Sequence, residues 1–179
     1  AASRRIEQAT AARLPAHTLM RRAGLAVAHL AAAVAPHARC IWIACGPGNN
    51  GGDGFEAAVQ LRARGFEVHL SFVGDEGRLP ADARDALERA RLSGVTPQAA
   101  APDRYDLAVD ALLGLGAVRA PQGLMAQWIE RMYHRGQSVL SVDLPSGLHA
   151  DTGAASFDFR HTGTRYCLSL LTLKPGLFT

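Results

Sequence analysis

Apolar positions along this chain switch between two rhythms. Met20, Ala23, Val27, Leu30, Ala31 and Val34 recur at helical spacing, so the first element reads as an amphipathic helix that Pro36 stops. Cys40-Ile41-Trp42-Ile43-Ala44 is an uninterrupted apolar run leading into glycines, the pattern of a strand buried on both faces. Phe55, Ala58 and Val59 then define a helix face, with Gly65 placed to end it. Residues 68–73 read as a strand, and 79–92 as a helix with Pro80 near its first turn and Gly94 just past its end. Residues 107–110 read as another strand. Pro121 opens a helix in which Met125, Trp128, Ile129, Met132 and Tyr133 form one stripe, and Gly136 closes it. Two more strands follow at 139–143 and 166–171. This alternation predicts a Rossmann-like three-layer α/β/α sandwich with a mainly parallel central sheet.

Composition narrows the picture. The 179 residues fit one domain over 1–179, with 48% hydrophobic and 20% charged residues, as in a globular protein. The formal charge is only +3, and of 19 basic residues the one lysine is Lys174. The 18 arginines are spread along the chain and alternate with acids, as at Arg84-Asp85 and Glu88-Arg89. Without a continuous basic tract, nucleic acid is not the expected partner. Cys40, Cys45 and Cys167 form no C-x-x-C pair and read as small apolar residues of a reduced, cytoplasmic protein. The least polar stretch, residues 25–35, contains His29 and is too short to span a bilayer, so no membrane partner is expected. The chain opens at Ala1 without methionine, which is read as a start already removed.

Ligands of such sheets bind at the carboxyl ends of the strands, and three of those ends are polar. The first strand runs into Gly46-Pro47-Gly48-Asn49-Asn50-Gly51-Gly52-Asp53-Gly54. The strand at 107–110 ends in Asp110, ahead of Gly114-Leu115-Gly116. The strand at 139–143 ends in Asp143, ahead of Leu144-Pro145-Ser146-Gly147. Gly46, Gly48 and Gly51 match G-x-G-x-x-G, where glycines let phosphate approach backbone N–H groups at a helix N-terminus. Asp75 lies where a ribose-binding acid is expected. The alternatives are a plain tight turn for the glycines, a helix cap for Asp53 and turn residues for Asp110 and Asp143. Oxygen donors from Asn50 and the aspartates suit a hard cation rather than zinc or copper. Ser146 lacks a G-x-S-x-G elbow, and the seven histidines show no metal-ligand spacing.

These three segments, together with Leu19-Met20-Arg21-Arg22-Ala23-Gly24, Ala150-Asp151-Thr152-Gly153 and Leu173-Lys174-Pro175-Gly176-Leu177, resemble the signatures of the YjeF N-terminal domain family. The resemblance implies an NAD(P)H-hydrate epimerase, an isomerase that interconverts the R and S epimers of hydrated NADH or NADPH at C6 of the nicotinamide ring. It implies that Asn49, Asn50, Gly51, Gly52 and Asp53 contact this substrate. Gly114, Leu115, Gly116, Ala117, Val118, Arg119, Ala120 and Asp143 would contact it too. Asn50, Asp110 and Ser146 would hold a potassium ion. The dinucleotide is then substrate rather than cofactor, and an ADP- or ATP-dependent dehydratase, fused or separate, is the expected partner. A homodimer is also expected.

The chemistry suits a carboxyl group. C6 carries both the hydroxyl and the ring nitrogen, so loss of the hydroxyl leaves a nitrogen-stabilised cation to which water returns on either face. Asp143 is the expected proton carrier. Arg119 stands where some relatives place a lysine, and Phe55-Glu56 read as a packing change. Residues 154–165 fit the pattern poorly. Two rivals remain: a non-catalytic scaffold for RNA or protein, and a nicotinamide dehydrogenase supported by the glycine pattern and Asp75. The length has two readings, a stand-alone epimerase or a portion of a longer two-domain repair protein.

Overall fold

The computed structural model describes residues 6, 9–10, 13–115, 120–134, 136–156, 159 and 163–178. Its elements follow the predicted alternation: α1 (Thr18–Val34), β1 (Cys40–Cys45), α2 (Asn49–Ala63), β2 (Glu67–Phe72), α3 (Ala81–Leu92), β3 (Leu107–Ala111), α4 (Gly123–His134), β4 (Ser138–Val142) and β5 (Arg165–Leu168). Short 3₁₀ turns cover Glu76–Arg78 and Pro175–Leu177. The five strands pair in parallel in the order β2-β1-β3-β4-β5. That order reverses direction between β1 and β3, which opens a crevice at their carboxyl ends.

Each face of the sheet carries its own core. On one side Ile41, Ile43, Val109, Leu140 and Val142 pack against α1, α2 and α3 through residues such as Val27, Ala31, Phe55, Leu61 and Leu87. On the other, Trp42, Ala108 and Val139 pack against the α4 stripe of Trp128, Ile129, Met132 and Tyr133. Trp42 meets Trp128 edge to face at 6.3 Å between ring centroids, and its Nε1 donates to the Ser71 hydroxyl at 3.0 Å. Burial on both faces is why the strands read as continuous apolar runs. The predicted three-layer sandwich is what forms.

Element edges differ from expectation where backbone is diverted towards the crevice. The helix after β1 starts at Asn49, so Gly51, Gly52 and Gly54 lie inside it rather than in a loop. β4 stops at Val142 because Asp143 adopts φ 70. β5 stops at Leu168, and the next free amide, that of Leu170, turns to the Asp143 carboxylate at 3.1 Å. The fourth helix starts two residues after Pro121, where Gly123 reverses the chain at φ 57. No helix among the described residues is long and apolar enough to cross a membrane.

Candidate functional site

A cavity of about 990 Å³ lies at the carboxyl ends of β1, β3 and β4, walled on one side by the start of α1. Its lining includes Asn49, Asn50, Asp53, Gly114, Leu115 and Asp143 among the residues predicted for the site. A smaller hollow of about 560 Å³ at the opposite end of the sheet is lined by Arg39, Cys40, Tyr105 and Asp106 and shares no residue with it.

The glycines bring α2 close enough to form one wall of this cavity. A Cβ on Gly46 would sit 1.8 Å from the Leu112 carbonyl oxygen, and one on Gly51 would sit 2.0 Å from the Gly46 oxygen. A Cβ on Gly52 would lie 2.5 Å from the Met20 side-chain end and 2.9 Å from the Ala83 Cα, and one on Gly54 would lie 2.6 Å from Cys45 Sγ and 2.7 Å from the Ala111 Cβ. Gly46 and Gly51 therefore serve backbone packing, and Gly52 and Gly54 let α2 approach the side chains of neighbouring elements. Gly51 and Gly52 are buried beneath the cavity and do not line it, whereas Pro47 and Gly48 do. Asp53 lies within α2 facing the cavity, not at the helix cap, which is Gly48. Asp75 caps the 3₁₀ turn by accepting from the Gly77 amide at 2.9 Å and stands outside the cavity, which removes the ribose-acid reading.

At the end of β3, Asp110 is fully buried and accepts four hydrogen bonds. Its donors are the Ser146 amide at 2.8 Å, the Ser146 hydroxyl at 2.6 Å, the Leu112 amide at 3.3 Å and Tyr133 Oη at 3.0 Å. Burial pushes this carboxyl above its usual range, and the four donors oppose that shift. Tyr133 reaches through from α4, also meets the Ser141 hydroxyl at 2.8 Å, and is itself pushed well up by burial and by Asp110. The Leu113 carbonyl joins the cluster: Asn50 Nδ2 donates to it at 3.0 Å and the Ser146 hydroxyl lies 3.4 Å away. Asn50, Asp110 and Ser146 are thus brought together around one loop. Turning Nδ2 to Leu113 leaves the Asn50 Oδ1 as an acceptor. Amide, hydroxyl, carboxylate and carbonyl oxygens make a donor set suited to a hard monovalent cation. Among the described residues no group of three His, Cys, Asp or Glu side chains could hold a metal ion.

Asp143 forms the cavity floor at the end of β4. Its amide still donates to Leu168 at 2.8 Å, but its left-handed backbone turns the side chain away from the ladder. Its Oδ1 accepts from the Leu170 amide and from Lys174 Nζ, which also donates to the Leu170 carbonyl at 2.6 Å. Lys174 is 2% exposed, so the pair is a buried one. Non-glycine residues with positive φ among those described are His17, Asp143 and Leu171, and all three line the cavity. Backbone conformations of this kind cost energy and persist where surrounding contacts enforce them, commonly at functional sites.

Several predicted positions fall elsewhere. Gly116, Ala117, Val118 and Arg119 lie outside the described residues, as do 157–158 and 160–162 within the segment 154–165. Ala120 is exposed and is not part of the cavity lining. Sequence reasoning did not assign Lys174, nor the α1 wall formed by His17, Thr18, Leu19, Met20 and Arg22. Both lie in or beside segments that carry the family resemblance, so the signal was present without a role attached. Glu56, read as a packing change, is 3% exposed and pairs with Arg89 at 2.7 Å, a contact between α2 and α3.

A family model described as the YjeF-related protein N-terminus matches residues 16–176. The chain is 45% identical over 146 residues to the NAD(P)H-hydrate epimerase of Rhodobacter capsulatus, covering 76% of this chain and 68% of that protein. It is 38% identical over 172 residues to the bifunctional NAD(P)H-hydrate repair enzyme Nnr of Escherichia coli, covering 93% of this chain and 32% of that one. The chain thus spans about a third of the length of that bifunctional relative. The crystal structure of yeast ynu0 superposes with a TM-score of 0.77 over 92% of this chain and 74% of that one; at 20% identity this likeness speaks for the fold. With the glycine segment, the two aspartate-ended strands and the Lys-Pro-Gly segment assembled around one cavity inside the matched span, the chain belongs to the YjeF N-terminal domain family.

Proposed function

We propose that this domain is an NAD(P)H-hydrate epimerase, interconverting the R and S epimers of hydrated NADH or NADPH in nicotinamide-nucleotide repair. The observation that carries the reading is Asp143: a buried carboxylate held at φ 70 on the floor of a cavity at the topological switch point. The names of the R. capsulatus and E. coli relatives support it. The nicotinamide ring faces Asp143, while α2 and the loop after β3 contact the rest of the dinucleotide. When the C6 hydroxyl departs, positive charge develops on the ring, and a fixed carboxylate beside it stabilises that charge.

Asn50, Asp110 and Ser146 are the residues that would hold a potassium ion, with the Leu113 carbonyl beside them. An ion held there would supply a fixed positive charge beside the Asp110 carboxylate and the loop after β3. The epimerised product passes to a nucleotide-dependent dehydratase, an activity that the bifunctional relatives' name is consistent with.

Incubation with a single NADHX epimer, followed by chromatographic separation of R and S forms, tests this reading. The native protein should accelerate interconversion, and replacing potassium with choline should slow it. Asp143→Asn, checked as folded by circular dichroism, should return the rate to the spontaneous background. A native protein no faster than that background overturns the proposal, and a bound RNA or protein would then point to the scaffold alternative.

A further inference from the structure

Lys174 is placed with more care than a solvated lysine needs. It stands at the head of the 3₁₀ turn Pro175–Leu177, whose Gly176 is buried against the turn that follows Ser146. A Cβ on Gly176 would lie 2.2 Å from the His149 carbonyl oxygen, and the Gly176 amide donates to Ala150 at 2.7 Å. That packing aims the side chain at the cavity floor. Two of its three ammonium donors are used, by Asp143 Oδ1 and by the Leu170 carbonyl, which leaves one for a ligand. The Asp143 carboxylate already accepts from the ammonium and from an amide, an arrangement for a charged acceptor rather than for a proton donor.

We propose that Lys174 is the proton donor of the epimerisation, with Asp143 as its charge partner and return path. This rests on the epimerase reading above and divides between two residues the role first expected of Asp143 alone. In the forward step the C6–O bond breaks and its electron pair leaves with oxygen. The oxygen takes a proton from Lys174 Nζ and departs as water, while the ring-nitrogen lone pair forms a double bond to C6. One positive charge moves from Nζ to the ring, beside a carboxylate that stays charged, so the net charge of the cavity is unchanged. In the return step water adds to the other face of the planar ring and forms a C6–O bond. The proton it releases goes through the Asp143 carboxylate to the neutral amine. Atoms and charge balance without another reactant.

The experiment separates a transferable proton from a mere positive charge. Lys174→Ala should keep its affinity for NADPH within a few fold and lose about 10²–10⁴-fold in kcat, the range of a general acid. Methylamine should restore that rate in proportion to its concentration, while guanidinium, which carries charge but does not give up a proton at these pH values, should not. Lys174→Arg, which keeps the charge, should stay slow. Rescue by guanidinium equal to that by methylamine, a native-like rate in Lys174→Arg, or a native-like rate in Lys174→Ala each overturns the assignment. If Lys174→Ala does not fold, a rate in Lys174→Arg at the native level still decides against it, and a slow but folded Lys174→Arg that binds NADPH still decides for it. Failure of the native protein to epimerise is a different outcome, because it removes the epimerase reading itself.

Discussion

Cys167 shows how the Asp143–Lys174 pair reaches its neighbours. The residue sits at an exposed position, yet its thiol turns to the Asp143 carbonyl oxygen at 3.7 Å. Desolvation, then the carboxylates of Asp143 and Asp110, push this thiol up to about 11, against a smaller opposing effect from Lys174. Only the thiolate is an effective nucleophile. Iodoacetamide should therefore label Cys167 slowly in the native protein until the pH nears about 11, whereas in urea labelling should rise around the ordinary value of 9.0. Peptide mass spectrometry of labelling against pH measures both, and coincident native and unfolded profiles would contradict the placement of Asp143 beside it. The sign of the linkage follows. Between those two values the native state holds a proton that the unfolded chain has released, so this group's contribution to stability is present below about 9.0 and is lost as pH rises towards about 11.

At the scale of elements, the cavity exists because α2 lies against β1 and β3 at backbone contact. Gly46 and Gly48 occupy the same segment and differ in what surrounds them: a Cβ at 46 strikes the Leu112 carbonyl, and one at 48 meets nothing within 4 Å. Gly46→Ala should destabilise by about 3 kcal/mol, because the obstacle is backbone that has to move. Gly48→Ala, at φ −118, should change stability by no more than about 0.5 kcal/mol. Urea unfolding followed by circular dichroism tests the pair, and equal effects would mean that the glycines are kept for a ligand alone. The G-x-G-x-x-G spacing was legible in the sequence. Which glycines face a ligand and which face the fold was not, because Gly46 packs on Leu112 and Gly54 on Ala111, residues more than 50 positions away.

For the molecule as a whole, the helical layer beside the cavity is joined by polar contacts as well as by its apolar core. Glu56 on α2 is buried under Gly24 of α1 and pairs with Arg89 of α3, which also meets Asp85. His17, at the entrance to α1, lies 2.7 Å from Asp82 of α3. Removing one partner of a buried pair leaves the other charge uncompensated, which typically costs about 3–5 kcal/mol; removing both often costs much less. Arg89→Leu should therefore lower stability by about 3 kcal/mol, and Glu56→Leu with Arg89→Leu should recover at least half of it. Thermal unfolding of the two variants checks this, and additive losses would show that the residues do not act as a pair.

Hydrophobic rhythm by itself determined the layer order, the parallel sheet and which strand ends carry polar residues. Strand pairing and helix packing are driven by burial, and burial is written locally as period and run length. The family resemblance brought Asn50, Asp110 and Ser146 forward as one group, and the fold gathers them around the loop after β3. Only the tertiary structure decided that Asp143 leaves its strand at φ 70, that Asp75 merely caps a turn and that Lys174 closes on Asp143 from 31 residues away. An ion pair of that kind has no periodic signature. It depends on the Lys-Pro-Gly segment seating on the turn after Ser146, a contact between residues that meet only once the sheet has formed.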